Sequence, residues 1–96
     1  MDLLFIVSTP DASRVLLPLA AACKRRGARW GCFFTNDGVE ALRDEQVVRA
    51  MSCADTAVAC EHSWERFMGE AACPVNLGSQ TNNSALVGEA RKVISL

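Results

Sequence analysis

Thr56-Ala-Val-Ala-Cys-Glu-His-Ser-Trp-Glu-Arg-Phe-Met-Gly69 joins a strand pattern to a helix pattern with no linker between them. A β-type run, Thr56 to Ala59, drives straight into Cys60. A compact helical pattern follows at once, with Trp64, Phe67 and Met68 at i, i+3 and i+4 on one face. Cys60 therefore sits where a strand ends and a helix begins. Free backbone N–H groups and the positive end of the helix dipole face such a position. They favour the thiolate, which is the reactive form of the side chain.

Upstream, Leu3 to Val7 is an unbroken apolar run, as expected of a strand buried on both faces of a parallel sheet. Ser8-Thr9-Pro10-Asp11 ends it. A helix is expected from Asp11 or Ser13, both good N-caps, to Arg26, with Gly27 as its stop. Val15, Leu16, Leu19, Ala20 and Cys23 form its apolar face, and Pro18 is expected to bend it. Arg29 to Thr35 is a second strand. Asn36-Asp37-Gly38 turns the chain, with Asp37 as a cap and Gly38 for backbone freedom or close packing. Val39 to Leu42 starts a short helical segment. Gln46 to Met51 is a second short helix or an irregular cover.

Downstream of the opening stretch, Pro74 to Leu77 reads as a fourth strand. Gly78 to Ser84 reads as a polar turn, Asn83 to Ala90 as a short helix with Ala85, Leu86 and Ala90 inward, and Lys92 to Leu96 as a closing strand. Strands alternating with helices predict one domain over residues 1–96. Its expected form is a three-layer α/β/α sandwich with a mostly parallel sheet of about five strands.

Composition narrows the function classes. The chain has 96 residues, of which 50% are hydrophobic and 22% charged, the profile of an ordinary globular domain. A net charge of −1 and a pI near 5.7 supply no basic face for nucleic acid. Scarce aromatics and the absence of Tyr remove a base-stacking platform. The runs Leu3–Val7 and Val15–Cys23 fall short of the roughly 20 apolar residues that span a bilayer. The first is also too short for a signal sequence, so no membrane association is expected. Five cysteines, an odd number without a CxxC pair, are expected to be reduced in a cytoplasm. Cys23 and Cys32 lie within apolar patterns and read as core.

Three stretches together resemble the DsrE/DsrF-like sulfur-relay family. They are the opening strand and polar turn Leu3-Leu4-Phe5-Ile6-Val7-Ser8-Thr9, the aromatic strand and acidic-Gly-Val turn Phe33-Phe34-Thr35-Asn36-Asp37-Gly38-Val39, and Val58-Ala59-Cys60 feeding a helix, followed by a Leu-Gly turn and the final Lys-Val-Ile-Ser-Leu strand. The resemblance spans essentially the whole chain. It implies a small α/β/α subunit assembling into homo- or hetero-oligomers, trimers or hexamers, with partner sulfur-relay proteins. It also implies that Cys60 carries sulfur as a persulfide, in the manner of a sulfurtransferase. Glu61-His62 departs from the small apolar residues common after that cysteine, and the segment from this helix to the next strand is short.

Catalytic roles are therefore expected of Cys60, as nucleophile, and His62, as a stabilising cation or proton shuttle. Cys73 is a possible resolving thiol, though a structural role explains it as well. No cofactor and no metal are expected. A thiolate metal site drawn from Cys53, Cys60, His62 and Cys73 is a minor alternative, lacking the short ligand spacing of structural zinc motifs. A non-catalytic scaffold or regulatory subunit is the other.

Overall fold

The computed structural model describes residues 1–96. The elements run β1 (Leu3–Val7), α1 (Ser13–Arg26), β2 (Trp30–Phe34), a 3-10 helix (Asn36–Arg43), α2 (Glu45–Met51), β3 (Thr56–Cys60), α3 (Glu61–Met68), β4 (Asn76–Gly78), α4 (Gln80–Glu89) and β5 (Lys92–Ser95). The five strands form one sheet in the order β4-β3-β2-β1-β5, and every pairing is parallel. The architecture is the expected α/β/α sandwich.

Connectivity explains how the layers arise. From β1 to β4 the chain steps one strand at a time toward one edge, and α4 then carries it back across the sheet to β5, beside β1. Right-handed crossovers put the first three connections on one face and α4 on the other. The thick layer is accordingly α1, α2, the 3-10 helix and α3, which touch one another in that succession. It covers the main core, built on Phe5 and Val7 of β1, Cys32 and Phe34 of β2, and Ala59 of β3. The alternate positions Leu4 and Phe33 point to the α4 side and are also fully buried. Burying each large side chain of this kind stabilises the fold by about 1.5–3 kcal/mol.

α1 ends as its sequence predicts, on Gly27 in the left-handed conformation (φ 65°), whose N–H closes onto Cys23 and Lys24 carbonyls. Its start differs from expectation. Ala12 is the N-cap and no side chain caps the helix, so neither Asp11 nor Ser13 serves. Its buried stripe is Leu16, Ala20 and Cys23, whereas Val15 is half exposed. The helix continues through Pro18, which lies on its solvent side, where water can serve the carbonyl that proline leaves without a donor.

α4 departs most from the sequence reading. It begins at Gln80, three residues early, because Ser79 and Asn82 form a reciprocal cap: Asn82 Oδ1 accepts from the Ser79 N–H (2.7 Å) and Ser79 Oγ from the Asn82 N–H (3.3 Å). Ala85, expected inward, is exposed. The half-buried positions Asn83, Leu86 and Ala90 instead mark the side turned to the sheet. Gly38 serves close packing: a Cβ there would overlap the Val7 carbonyl and lie 2.8 Å from Ser8 Cα. Asp37 is not a cap. Thr35 holds the N-cap position of the 3-10 helix, and Asp37 sits in its first turn.

Candidate functional site

Cys60 is both the last residue of β3 and the N-cap of α3 (φ −61°, ψ 121°). Its sulfur stands where a serine or aspartate oxygen would accept hydrogen bonds from the second and third helical N–H groups. Those groups belong to His62 and Ser63, and both face the sulfur. Only 5% of the residue's surface is exposed, and that fraction opens onto a cavity of about 820 Å³. Thr35, Asn36, His62, Ser63 and Gln80 line this cavity beside it, with Glu65, Arg66 and Phe67 further along α3.

Two elements from elsewhere in the chain complete the surroundings. Asn36 turns the chain out of β2 through a left-handed conformation (φ 52°), which asparagine tolerates better than most residues. Its N–H donates to Ser63 Oγ (2.9 Å), which leaves the Ser63 hydroxyl proton free to face the sulfur. From the other side, Gly78 pairs with Cys60 across the sheet edge. A Cβ on Gly78 would lie 2.7 Å from Val58 Cγ1 and 2.9 Å from Asn82 Oδ1, so glycine is what lets α4 start close to β3. That closeness brings the Gln80 side chain to the sulfur while its Nε2 donates to Thr35 Oγ1 (3.3 Å).

These contacts settle the electrostatics. Burial pushes the Cys60 thiol up, but the Ser63 hydroxyl and N–H, the Gln80 amide and the His62 N–H together outweigh it. The thiol is left below its ordinary value. The donors surround the sulfur loosely: the helix cap carries no close side-chain hydrogen bond of its own. The other cysteines behave differently. Burial raises Cys23, assisted by Asp2, and burial alone raises Cys32 strongly. Burial also raises Cys73, against an opposing hydrogen bond from the Val75 N–H.

Cys60 and His62 thus share one cavity. His62 presents its backbone N–H to the sulfur, while the residue itself is exposed on the cavity wall. Cys53 and Cys73 are not brought there. Cys73 lines a separate hollow with Asp55, Thr56 and Ala57, at the opposite end of β3, and Cys53 precedes that end. The four steps of extended strand from Thr56 to Cys60 separate the two levels by roughly 13 Å. Cys73 therefore cannot resolve a bond at Cys60, and the four-ligand metal site is not assembled. No group of three His, Cys, Asp or Glu side chains gathers anywhere to hold a metal ion.

Ser63, Gln80, Asn36 and Thr35 are site residues that the sequence reading did not assign. Ser63 carried a usable signal, since the third helical position always faces the cap. Gln80 lies in a polar run rich in hydrogen-bond donors, but its approach to the sulfur depends on β4 lying beside β3.

The arrangement defines a class of fold: a single α/β/α sandwich with a parallel five-stranded sheet and a thiol at a strand's carboxyl end, where open α/β sheets collect ligand sites. The ychN protein from E. coli is similar in fold. Its crystal structure is similar over 100% of this chain and 99% of that chain, with a TM-score of 0.77 and 14% sequence identity. At that identity the likeness establishes the fold alone. No protein-family model matches the sequence, and no curated protein matches it. No helix is long and apolar enough to cross a membrane.

Proposed function

We propose that this protein is a sulfur carrier, sulfurtransferase-like in its chemistry. Cys60 accepts sulfane sulfur as a persulfide and passes it to a thiol on a partner protein. The observation that carries the reading is the lowered thiol of Cys60 at the floor of an open, polar cavity. The resemblance to the DsrE/DsrF-like relay family and the shared fold with the ychN protein agree with it.

In the loading step the Cys60 thiolate attacks the outer sulfur of a donor R–S–SH. The donor's S–S bond breaks, R–S leaves and takes the proton as R–SH, and Cys60–S–S⁻ remains. In the unloading step the partner's thiol gives up its proton and attacks the outer sulfur. Cys60 leaves as thiolate, and the partner keeps the sulfur as partner–S–SH. Both steps conserve the sulfane oxidation level, so no external oxidant or reductant is needed. Ser63, Gln80 and the two N–H groups stabilise negative charge on Cys60 both before loading and as it leaves. His62, at the cavity wall, carries the proton between donor, partner and solvent. The carrier works within a homo- or hetero-oligomer of relay subunits. Its five free cysteines suit a reducing compartment such as the cytoplasm.

Intact mass after incubation with inorganic polysulfide is the test. In a Cys53→Ser background, which removes the exposed thiol, the protein gains about 32 Da, one sulfur atom, and the same protein with Cys60→Ser does not. An equal gain on both proteins, or no gain on the one that keeps Cys60, rejects the carrier.

A further inference from the structure

Two residues of the cavity wall are not used by the sulfur chemistry above. Glu65 and Arg66 both line the cavity that holds Cys60, both are exposed, and neither pairs with an opposite charge in the chain. The two ion pairs that do form, Arg29–Asp55 and Arg43–Glu40, lie elsewhere. Arg66 is oriented by Phe67, over whose ring its guanidinium lies at 5.3 Å. The cavity thus offers one free negative and one free positive group beside a nucleophilic sulfur.

We infer that the donor that loads Cys60 is a small zwitterionic persulfide of the amino-acid class, held with its ammonium on Glu65 and its carboxylate on Arg66. The inference rests on the carrier reading and names the substrate of that site. Spacing supports it. Glu65 and Arg66 lie five and six residues after Cys60, about 7.5–9 Å along the helix axis. Helical side chains lean toward the N-terminus, so both long side chains reach back over the first turn. In a cysteine persulfide the ammonium nitrogen stands roughly 5 Å from the outer sulfur, one S–S bond and three shorter bonds away, with the carboxylate oxygens one bond further. With its outer sulfur on Cys60, such a molecule places both charges at the level of the Glu65 and Arg66 heads.

Charge excludes the alternatives. An anionic donor without an amine leaves Glu65 opposing it. A cysteine embedded in a peptide has neither charge and uses neither residue. The transfer is the loading step already balanced: the donor's S–S bond breaks, the Cys60 S–S bond forms, and free cysteine leaves as its thiol.

The test measures loading rates by intact mass, using persulfides generated in situ from cysteine, 3-mercaptopropionate (no ammonium), cysteamine (no carboxylate) and N-acetylcysteine amide (neither). Each rate is divided by that donor's rate with a free model thiol. Wild type should favour cysteine persulfide over the neutral donor by about tenfold, two exposed ion contacts worth roughly threefold each. Glu65→Gln should lose about threefold only with the ammonium-bearing donors, and Arg66→Gln about threefold only with the carboxylate-bearing ones. Equal normalised rates for all four donors, or variants that slow every donor alike, overturn the inference. Inorganic polysulfide separates the two claims. If it loads Cys60 while headgroups make no difference, the carrier stands and the zwitterion does not; if no donor loads Cys60, both fall.

Discussion

Cys32 and Cys60 lie on neighbouring strands of one sheet, yet their sulfurs inhabit opposite chemical worlds. Cys32 is in the middle of β2, fully buried, with the apolar core around it and nothing but burial acting on its proton. Cys60 is at the carboxyl end of β3 and is nearly as buried, but four polar groups from two helices, α3 and α4, converge on it. Depth alone therefore does not decide whether a cysteine is inert. What decides it is whether the backbone around the sulfur has spare N–H groups, and those occur where a strand gives way to a helix rather than within a ladder.

Serine replacement exposes the contrast most strongly in stability. Cys32→Ser puts a hydroxyl without a partner into the core and should destabilise the fold by about 1–3 kcal/mol in urea unfolding. Cys60→Ser supplies the natural N-cap atom and should change stability by less than about 0.5 kcal/mol. Equal losses at the two sites would erase the distinction.

Alkaline pH tests the same difference through the thiol proton. Cys32 keeps its proton in the fold while the unfolded chain releases it near pH 8.5. The unfolded state then binds fewer protons, and stability is lost as pH rises above that value, by up to about 1.4 kcal/mol per pH unit from this group. Cys60 acts in the opposite sense: its folded thiol is the stronger acid, so its contribution is present at alkaline pH and lost as pH falls through the folded value. A Cys32→Ala variant should show a shallower alkaline decline than wild type. An unchanged decline would mean Cys32 is not the sealed thiol described.

Smaller effects apportion the donors at Cys60. Ser63→Ala removes the hydroxyl and should slow alkylation of Cys60 at neutral pH by about tenfold, the worth of one hydrogen bond to a charged group. His62→Ala keeps the backbone N–H that faces the sulfur, so the same rate should change by less than about twofold. A His62→Ala effect as large as that of Ser63→Ala would move the stabilising role onto the imidazole ring.

The legible parts of this molecule are those that local pattern fixes. Leu3–Val7 reads as a strand because a run apolar at every position must be buried on both faces, and its bounds are those of β1. Gly27 marks the end of α1 because only a left-handed residue closes it. Cys60 stands out because strand pattern meets helix pattern there without a linker. Less legible was the polar run Ser79–Ser84. Its Ser-x-x-Asn cap lacks the usual Glu or Gln, so a helix start looked like a turn. The approach of Gln80 to Cys60 is not readable, because strand order, not sequence spacing, brings them together. Half of the site is therefore local and readable, and half is tertiary.

The groups around Cys60 overcome its burial, and the pH dependence of iodoacetamide labelling at Cys60 tests this in a Cys53→Ser background, which removes the exposed competing thiol. Labelling should follow one ionisation with its midpoint below the ordinary thiol value of about 8.5, while Cys32 stays unlabelled until the protein unfolds. A midpoint at or above that value, or labelling of Cys60 only on unfolding, would contradict it.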